Sequence, residues 1–120
     1  MGTRISGLSI SADHEREADG KISLFLRAMI EGQEVGYVRY EHRRGRLAFI
    51  TGVSVRYEWQ ERGVAMALLD ALAAREIPAR RLGANSAREN TAEGERLLSH
   101  WSASRGIALV RKDEGLDGGR

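Results

Sequence analysis

The stretch that decides the fold is Val53-Ser54-Val55-Arg56-Tyr57-Glu58-Trp59-Gln60-Glu61-Arg62-Gly63-Val64-Ala65-Met66-Ala67-Leu68-Leu69. Its first residues close the run Leu47, Phe49, Ile50, Val53 and Val55, whose near-alternation predicts a strand over Arg46 to Val55. The alternation breaks at Thr51-Gly52, and glycine inside a strand marks a bulge or a close backbone approach. The period then changes. Val64, Ala67, Leu68, Ala71 and Leu72 recur at helical spacing, which predicts an amphipathic helix from Gly63 to near Arg75, punctuated by Pro78. The first N–H groups of a helix have no intrahelical partner, and the helix dipole adds to their attraction for an anion. Gly63 has no Cβ and Ala65 is the next smallest residue, so the backbone here can approach a phosphate closely.

Working outward, Arg4 to Ile10 alternates and predicts a first strand, while Asp13 to Gly20 is polar and acidic and reads as a loop. Lys21 to Ile30 places Ile22, Leu24, Leu26 and Ala28 on one face, a period of two. The turn Glu31-Gly32-Gln33-Glu34 leads into a partner strand, Val35 to Glu41, and a charged turn covers His42 to Gly45. After the helix, Arg81 to Ser86 predicts a short strand. Asn90 with Glu93 has the form of a capping box, opening a second helix with Leu97, Leu98 and Trp101 inward and Gly106 as its stop. Ile107 to Val110 reads as the last strand. This order predicts an α/β (α+β) layer architecture: a single mixed, mostly antiparallel sheet with two main helices.

The chain has 120 residues, 42% hydrophobic and 30% charged, enough for one domain over residues 1–113 with a loose tail at 114–120. It contains no Cys, which excludes a thiolate metal site, a disulfide and a cysteine nucleophile, and fits a cytoplasmic setting. The stretch Met1 to Ile10 has no apolar run of the kind that makes a signal peptide or a membrane span. Formal charge is only +2, and the basic residues are nearly all Arg, Lys21 and Lys112 being the lysines. Such a mild imbalance does not argue for nucleic acid, and a third reading, a nucleic-acid-binding protein, rests only on the Arg count and two Arg runs. The runs Arg43-Arg44-Gly45-Arg46 and Arg80-Arg81 are short, lack interleaved aromatics and read as surface turns. Three scattered histidines have no ligand spacing, so no metal is expected.

The segment from Val53 to Leu69 resembles the acetyl-CoA motif of the GNAT acyltransferase superfamily. Gln60, Gly63 and Ala65 match its Gln/Arg-x-x-Gly-x-Gly/Ala core, Glu58 and Trp59 match the preceding corner, and Met66-Ala67-Leu68-Leu69 matches the helix that follows. The resemblance extends over Val35 to Ile107. It implies a GNAT-like acyl-CoA N-acyltransferase fold, acetyl-CoA as cosubstrate and acetyl transfer to an amine. It also implies that Val53, Ser54 and Val55 line the cofactor and that the backbone of Gln60, Glu61, Arg62, Gly63, Val64, Ala65 and Met66 holds its diphosphate. A peptide N–H near Val55 would polarise the thioester carbonyl.

Two departures from the family shape the remaining expectations. Two helices usually follow the family's first strand, and Asp13 to Gly20 is too short for both. The acceptor side is then either open or completed by another chain, for instance in a symmetric dimer. The family's leaving-group acid is often a Tyr four residues before a Gly. Counting back from Gly106 reaches Ser102, a hydroxyl poorly suited to that role. Glu58 is the candidate general base, with Glu41 and His42 as alternatives at the hairpin end; His14 and His100 give no catalytic signal. Trp59 stands where it could cap the cofactor or an acceptor entrance. The leading reading is an N-acetyltransferase; the alternative is a non-catalytic GNAT-like module that binds acyl-CoA or a protein.

Overall fold

A computed structural model describes residues 5–112. Six strands form one sheet in chain order: β1 (Leu8–Arg16), β2 (Ile22–Ile30), β3 (Gln33–Arg43), β4 (Leu47–Val55), β5 (Arg81–Ala84) and β6 (Val110–Arg111). The first four pair antiparallel, and β5 and β6 are added parallel. The two connections that make parallel neighbours carry the helices, α1 (Val64–Glu76) and α2 (Ala92–Arg105), as a parallel crossover requires.

Both helices pack on one face. Leu26, Ala28, Val38, Tyr40, Ala48 and Ile50 supply the sheet side of the core, and Val64, Leu68, Leu69, Leu72, Leu98 and Trp101 the helix side. Each of these large apolar side chains contributes about 1.5–3 kcal/mol by leaving water. The opposite face is not apolar. It carries an ionic lattice in which Arg27 reaches Asp13, Glu15 and Glu34 at 3.4, 3.2 and 3.2 Å. The guanidinium groups of Arg27 and Arg43 roof Phe25 and Phe49 at 4.2 and 3.6 Å from the ring centres.

The predicted loop over Asp13 to Gly20 is corrected: Asp13 to Arg16 continue β1, and only 17–20 turn. Their polarity has a different cause. Strand β1 is an edge strand whose Asp13 and Glu15 sit opposite Phe25 and Ser23, on the ionic face. Strand β1 accordingly begins at Leu8, not at Arg4; Arg4 and residues 114–120 lie outside the described residues. Strand β3 takes in Gln33, Glu34, His42 and Arg43, leaving Glu31 and Gly32 as the turn. Strand β5 ends at Ala84 and β6 starts only at Val110. The cap of α2 also moves: Thr91, not Asn90, accepts the Gly94 N–H at 3.0 Å, and Asn90 donates to Glu95 instead.

The expected irregularity at Thr51-Gly52 is a bulge. Arg39 faces Gly52 and Tyr40 faces Ile50, so Thr51 is the extra residue, with its hydroxyl donating to the Arg39 carbonyl at 3.2 Å. The same point ends the pairing with β5, whose last partners are Ile50 and Ala84. Beyond it β4 runs on for five residues with no strand neighbour on that side among the described residues.

Candidate functional site

The parting of β4 from β5 leaves a groove, and both helices begin beside it. One pocket of about 400 Å³ is lined by Val53, Ser54, Val55, Trp59, Gln60, Glu61, Gly63, Ala65 and Met66, together with Thr91, Glu93, Gly94 and Leu97 from the start of α2. A second pocket of about 200 Å³ shares Val53, Thr91, Gly94 and Leu97 with it and reaches down to Ile50 and Ala84, where the strands separate.

The corner before α1 is held by its own chemistry. Gln60 donates its side-chain amide to the Val55 carbonyl at 3.1 Å, tying the helix approach to the strand end. Glu61 and Gly63 take positive φ values of 62° and 91°. Glycine adopts this conformation without strain, and it swings the chain sharply into the helix. The first helical bond runs from Ala67 N–H to Gly63 C=O at 2.9 Å, leaving the N–H groups of Val64, Ala65 and Met66 without an intrahelical acceptor. The Arg62 guanidinium lies 5.0 Å over the Trp59 ring, and that ring forms part of the pocket wall.

On the strand side, the Arg56 N–H donates to Val35 O at 2.8 Å, across β3. Successive peptides along a strand face opposite ways, so the Val55 N–H turns toward the parted side. The start of α2 is braced by Glu95, which accepts from Asn90, Ser99 and Arg111 at 2.8–3.1 Å, while Arg111 also donates to Asn85 O. Partial burial pushes the Glu95 carboxyl up, but these donors outweigh it and hold it below the usual range.

Of the residues expected at the cofactor, Val53, Ser54, Val55, Gln60, Glu61, Gly63, Ala65 and Met66 line this groove; Arg62 and Val64 are adjacent in the chain but not in its lining. Glu58 is exposed, pairs with Arg56 at 3.8 Å and does not line the groove. Ser102 is likewise outside it, its hydroxyl donating to Ile107 O at the far end of α2. Glu41 and His42 sit at the opposite end of β3, bonded to Arg43 and to the buried Glu76. The contribution of Thr91, Glu93, Gly94 and Leu97 was not anticipated. A threonine just before a helix was the available signal.

A family model described as the Acetyltransferase (GNAT) family matches residues 5–103. The chain belongs to the GNAT family. Among solved structures, a ribosomal-protein-alanine N-acetyltransferase from Brucella melitensis biovar Abortus 2308 is similar at 24% identity and TM-score 0.53, covering 63% of this chain and 57% of that one. A GNAT-family protein from Xanthomonas campestris pv. campestris has 24% identity and TM-score 0.50 over 67% and 54% of the two chains. A Deinococcus radiodurans R1 protein classed as an acetyltransferase has 13% identity and TM-score 0.59 over 85% and 86%. The chain thus spans little more than half the length of the first two GNAT proteins. At these identities the likeness establishes the GNAT fold. A comparison with curated proteins gives no match.

The groove fits the cosubstrate GNAT enzymes use. Of the three residues whose N–H groups lack an intrahelical acceptor, Ala65 and Met66 line it, and Val53, Val55, Met66 and Leu97 give it apolar walls. The lining also carries two carboxylates, Glu61 and Glu93, and no Lys or Arg among the described residues. Among the described residues, no helix is long and apolar enough to cross a membrane.

Proposed function

We propose that this protein is an acetyl-CoA-dependent N-acetyltransferase acting on an amine acceptor. The observation that carries this reading is the free amide cluster at the start of α1, opening into the groove where β4 and β5 part. Acetyl-CoA supplies an activated acetyl thioester. The chain's part is to hold the diphosphate on the N–H groups of Val64, Ala65 and Met66, with Gly63 permitting close approach. The Val55 N–H, turned to the parted side, is the donor suited to polarise the thioester carbonyl. Positioning of an amine beside it accounts for the rest of the acceleration.

For proton transfer we retain Glu58 as the base, acting through water given its exposed position, and solvent rather than Ser102 as the acid, because the Ser102 hydroxyl is already engaged. No tyrosine lines the groove among the described residues, which favours a second reading: a GNAT-like module that binds acyl-CoA without turnover. Only a turn joins β1 to β2, so the acceptor side is open, or completed by a second copy. We place the protein in the cytoplasm, in keeping with its lack of cysteine.

Thermal unfolding with CoA and acetyl-CoA tests the site, since a ligand of the native state raises the melting temperature. Thiol release with a panel of amines then separates enzyme from binding module. The Ala65→Glu variant puts an anion where helix dipoles favour it, so the fold survives, yet it should weaken CoA binding at least about tenfold. Normal CoA binding by that variant would overturn the site assignment.

A further inference from the structure

The two arginine runs that read as separate surface turns are one surface in the fold. Leu47 pairs with Arg81, and the Arg81 N–H donates to the Arg46 carbonyl at 3.1 Å, which sets the turn 43–46 directly beside the start of β5. On the other flank, Lys21, His42, Arg43 and Arg44 line a cavity of about 580 Å³ with Ile22, Leu24 and Glu41. This end of the sheet therefore gathers Lys21, Arg43, Arg44, Arg46, Arg80 and Arg81.

Three carboxylates stand among them, Asp19 accepting the Lys21 N–H at 3.0 Å. Glu41 takes Arg43, and the buried Glu76 takes Arg80 and His42. The ion pairs among the described residues leave out Lys21, Arg44, Arg46 and Arg81, all of them exposed. With formal charge only +2 for the whole chain, a patch this basic means that the remainder is net acidic. The molecule is polarised, not uniformly basic.

We propose that this patch binds the phosphate backbone of a nucleic-acid duplex. Arginine dominates it, and the guanidinium fork matches phosphate oxygens in a way a lysine does not. The large apolar side chains exposed nearby are Ile22 and Ile77, at 38% and 37%, a thin anchor for a protein interface, whose energy concentrates in buried aromatic and aliphatic side chains. The Phe49 ring, 1% exposed beneath Arg43, is not offered as a platform to unstacked bases. Contact with paired strands through phosphates, without base reading, is what remains. The patch lies at the start of β4 and the acyl-CoA groove at its end, about 26 Å apart for nine extended residues. Both can be filled at once, and the inference stands independently of the proposed activity.

The test is fluorescence anisotropy with a labelled 20-bp RNA duplex and the matching DNA duplex over a salt series. We expect binding of one or both at low salt, with log K falling against log salt at a slope of about −3 for three to four phosphate contacts. The triple variant Arg44→Ser, Arg46→Ser, Arg81→Ser should lose at least about tenfold in affinity, with its melting temperature and its CoA-induced shift unchanged. A control, Arg88→Ser with Arg96→Ser, removes charge elsewhere and should bind as the parent does. Absence of binding to both duplexes at low salt overturns the proposal, as does equal loss in the control. Equal affinity for a polyglutamate peptide overturns it in favour of an acidic protein partner. The RNA and DNA arms decide which duplex is bound.

Discussion

Asp70 on α1 grips Arg105 on α2 through two bonds of 2.7 and 2.9 Å, and the same carboxylate accepts the indole N–H of the fully buried Trp101 at 2.8 Å. Hydrogen bonding from Arg105 holds the Asp70 carboxyl below its ordinary value of 3.8, against a smaller opposing effect of burial and with help from Trp101. Asp70→Ala should cost about 1–3 kcal/mol, chiefly by stranding the indole donor. Asp70→Asn should cost less, because an acceptor remains. The Asp70–Arg105 charge pair is partly exposed, at 40% and 29%, so its Coulombic share is screened. A carboxyl lowered on folding stabilises above its unfolded value, and that share fades as pH falls below 3.8. Melting curves from neutral pH to pH 3 should show the parent converging on Asp70→Asn.

Gly36 lies opposite Val55, and a Cβ there would stand 2.8 Å from the Ser54 carbonyl oxygen, a backbone atom that cannot rotate away. Gly36→Ala should therefore push β4 off β3 just where the groove is lined. We expect a loss of about 1–3 kcal/mol and weakened CoA binding. Denaturant unfolding and calorimetric titration measure the two; an unchanged CoA affinity would show that the strand edge is not part of the site.

Glu93 brings a negative charge to a groove read as an anion site. Glu93→Gln should tighten CoA binding about two- to fivefold at low salt, and the gain should shrink as salt screens it. A small drop in melting temperature should accompany it, because an acidic residue leaves the first turn of α2. Titration at two ionic strengths reads the effect directly.

Ser102→Ala removes the bond to Ile107 O that ties the end of α2 to the following segment. Stability should fall by about 1 kcal/mol while turnover on acetyl-CoA stays as it was. A large rate loss with little destabilisation would restore Ser102 as the acid.

The corner from Val53 to Ala65 was legible because several signals coincide there: strand alternation, a glycine that the φ of 91° demands, and helical spacing from Val64 onward. The bulge could be read from Thr51-Gly52 for the same reason. The second half of strand β1 was not, since Asp13 and Glu15 obey an ionic face rather than an apolar one, and composition alone makes such a stretch look like a loop. The share of α2 in the groove was hidden too. Thr91 and Gly94 reach it only because β5 stops at Ala84, a fact of tertiary pairing. Likewise, Arg46 and Arg81 are 35 positions apart in the chain and touch only through the parallel register.

Among the described residues, strand β1 is an edge of the sheet, its outward-facing backbone groups without a strand partner over nine residues. Its Asp13, Glu15 and Arg16 line that rim with charge, which opposes the stacking of copies rim to rim into ribbons. Neutralising those side chains would leave an uncharged rim on which fibrils could be templated.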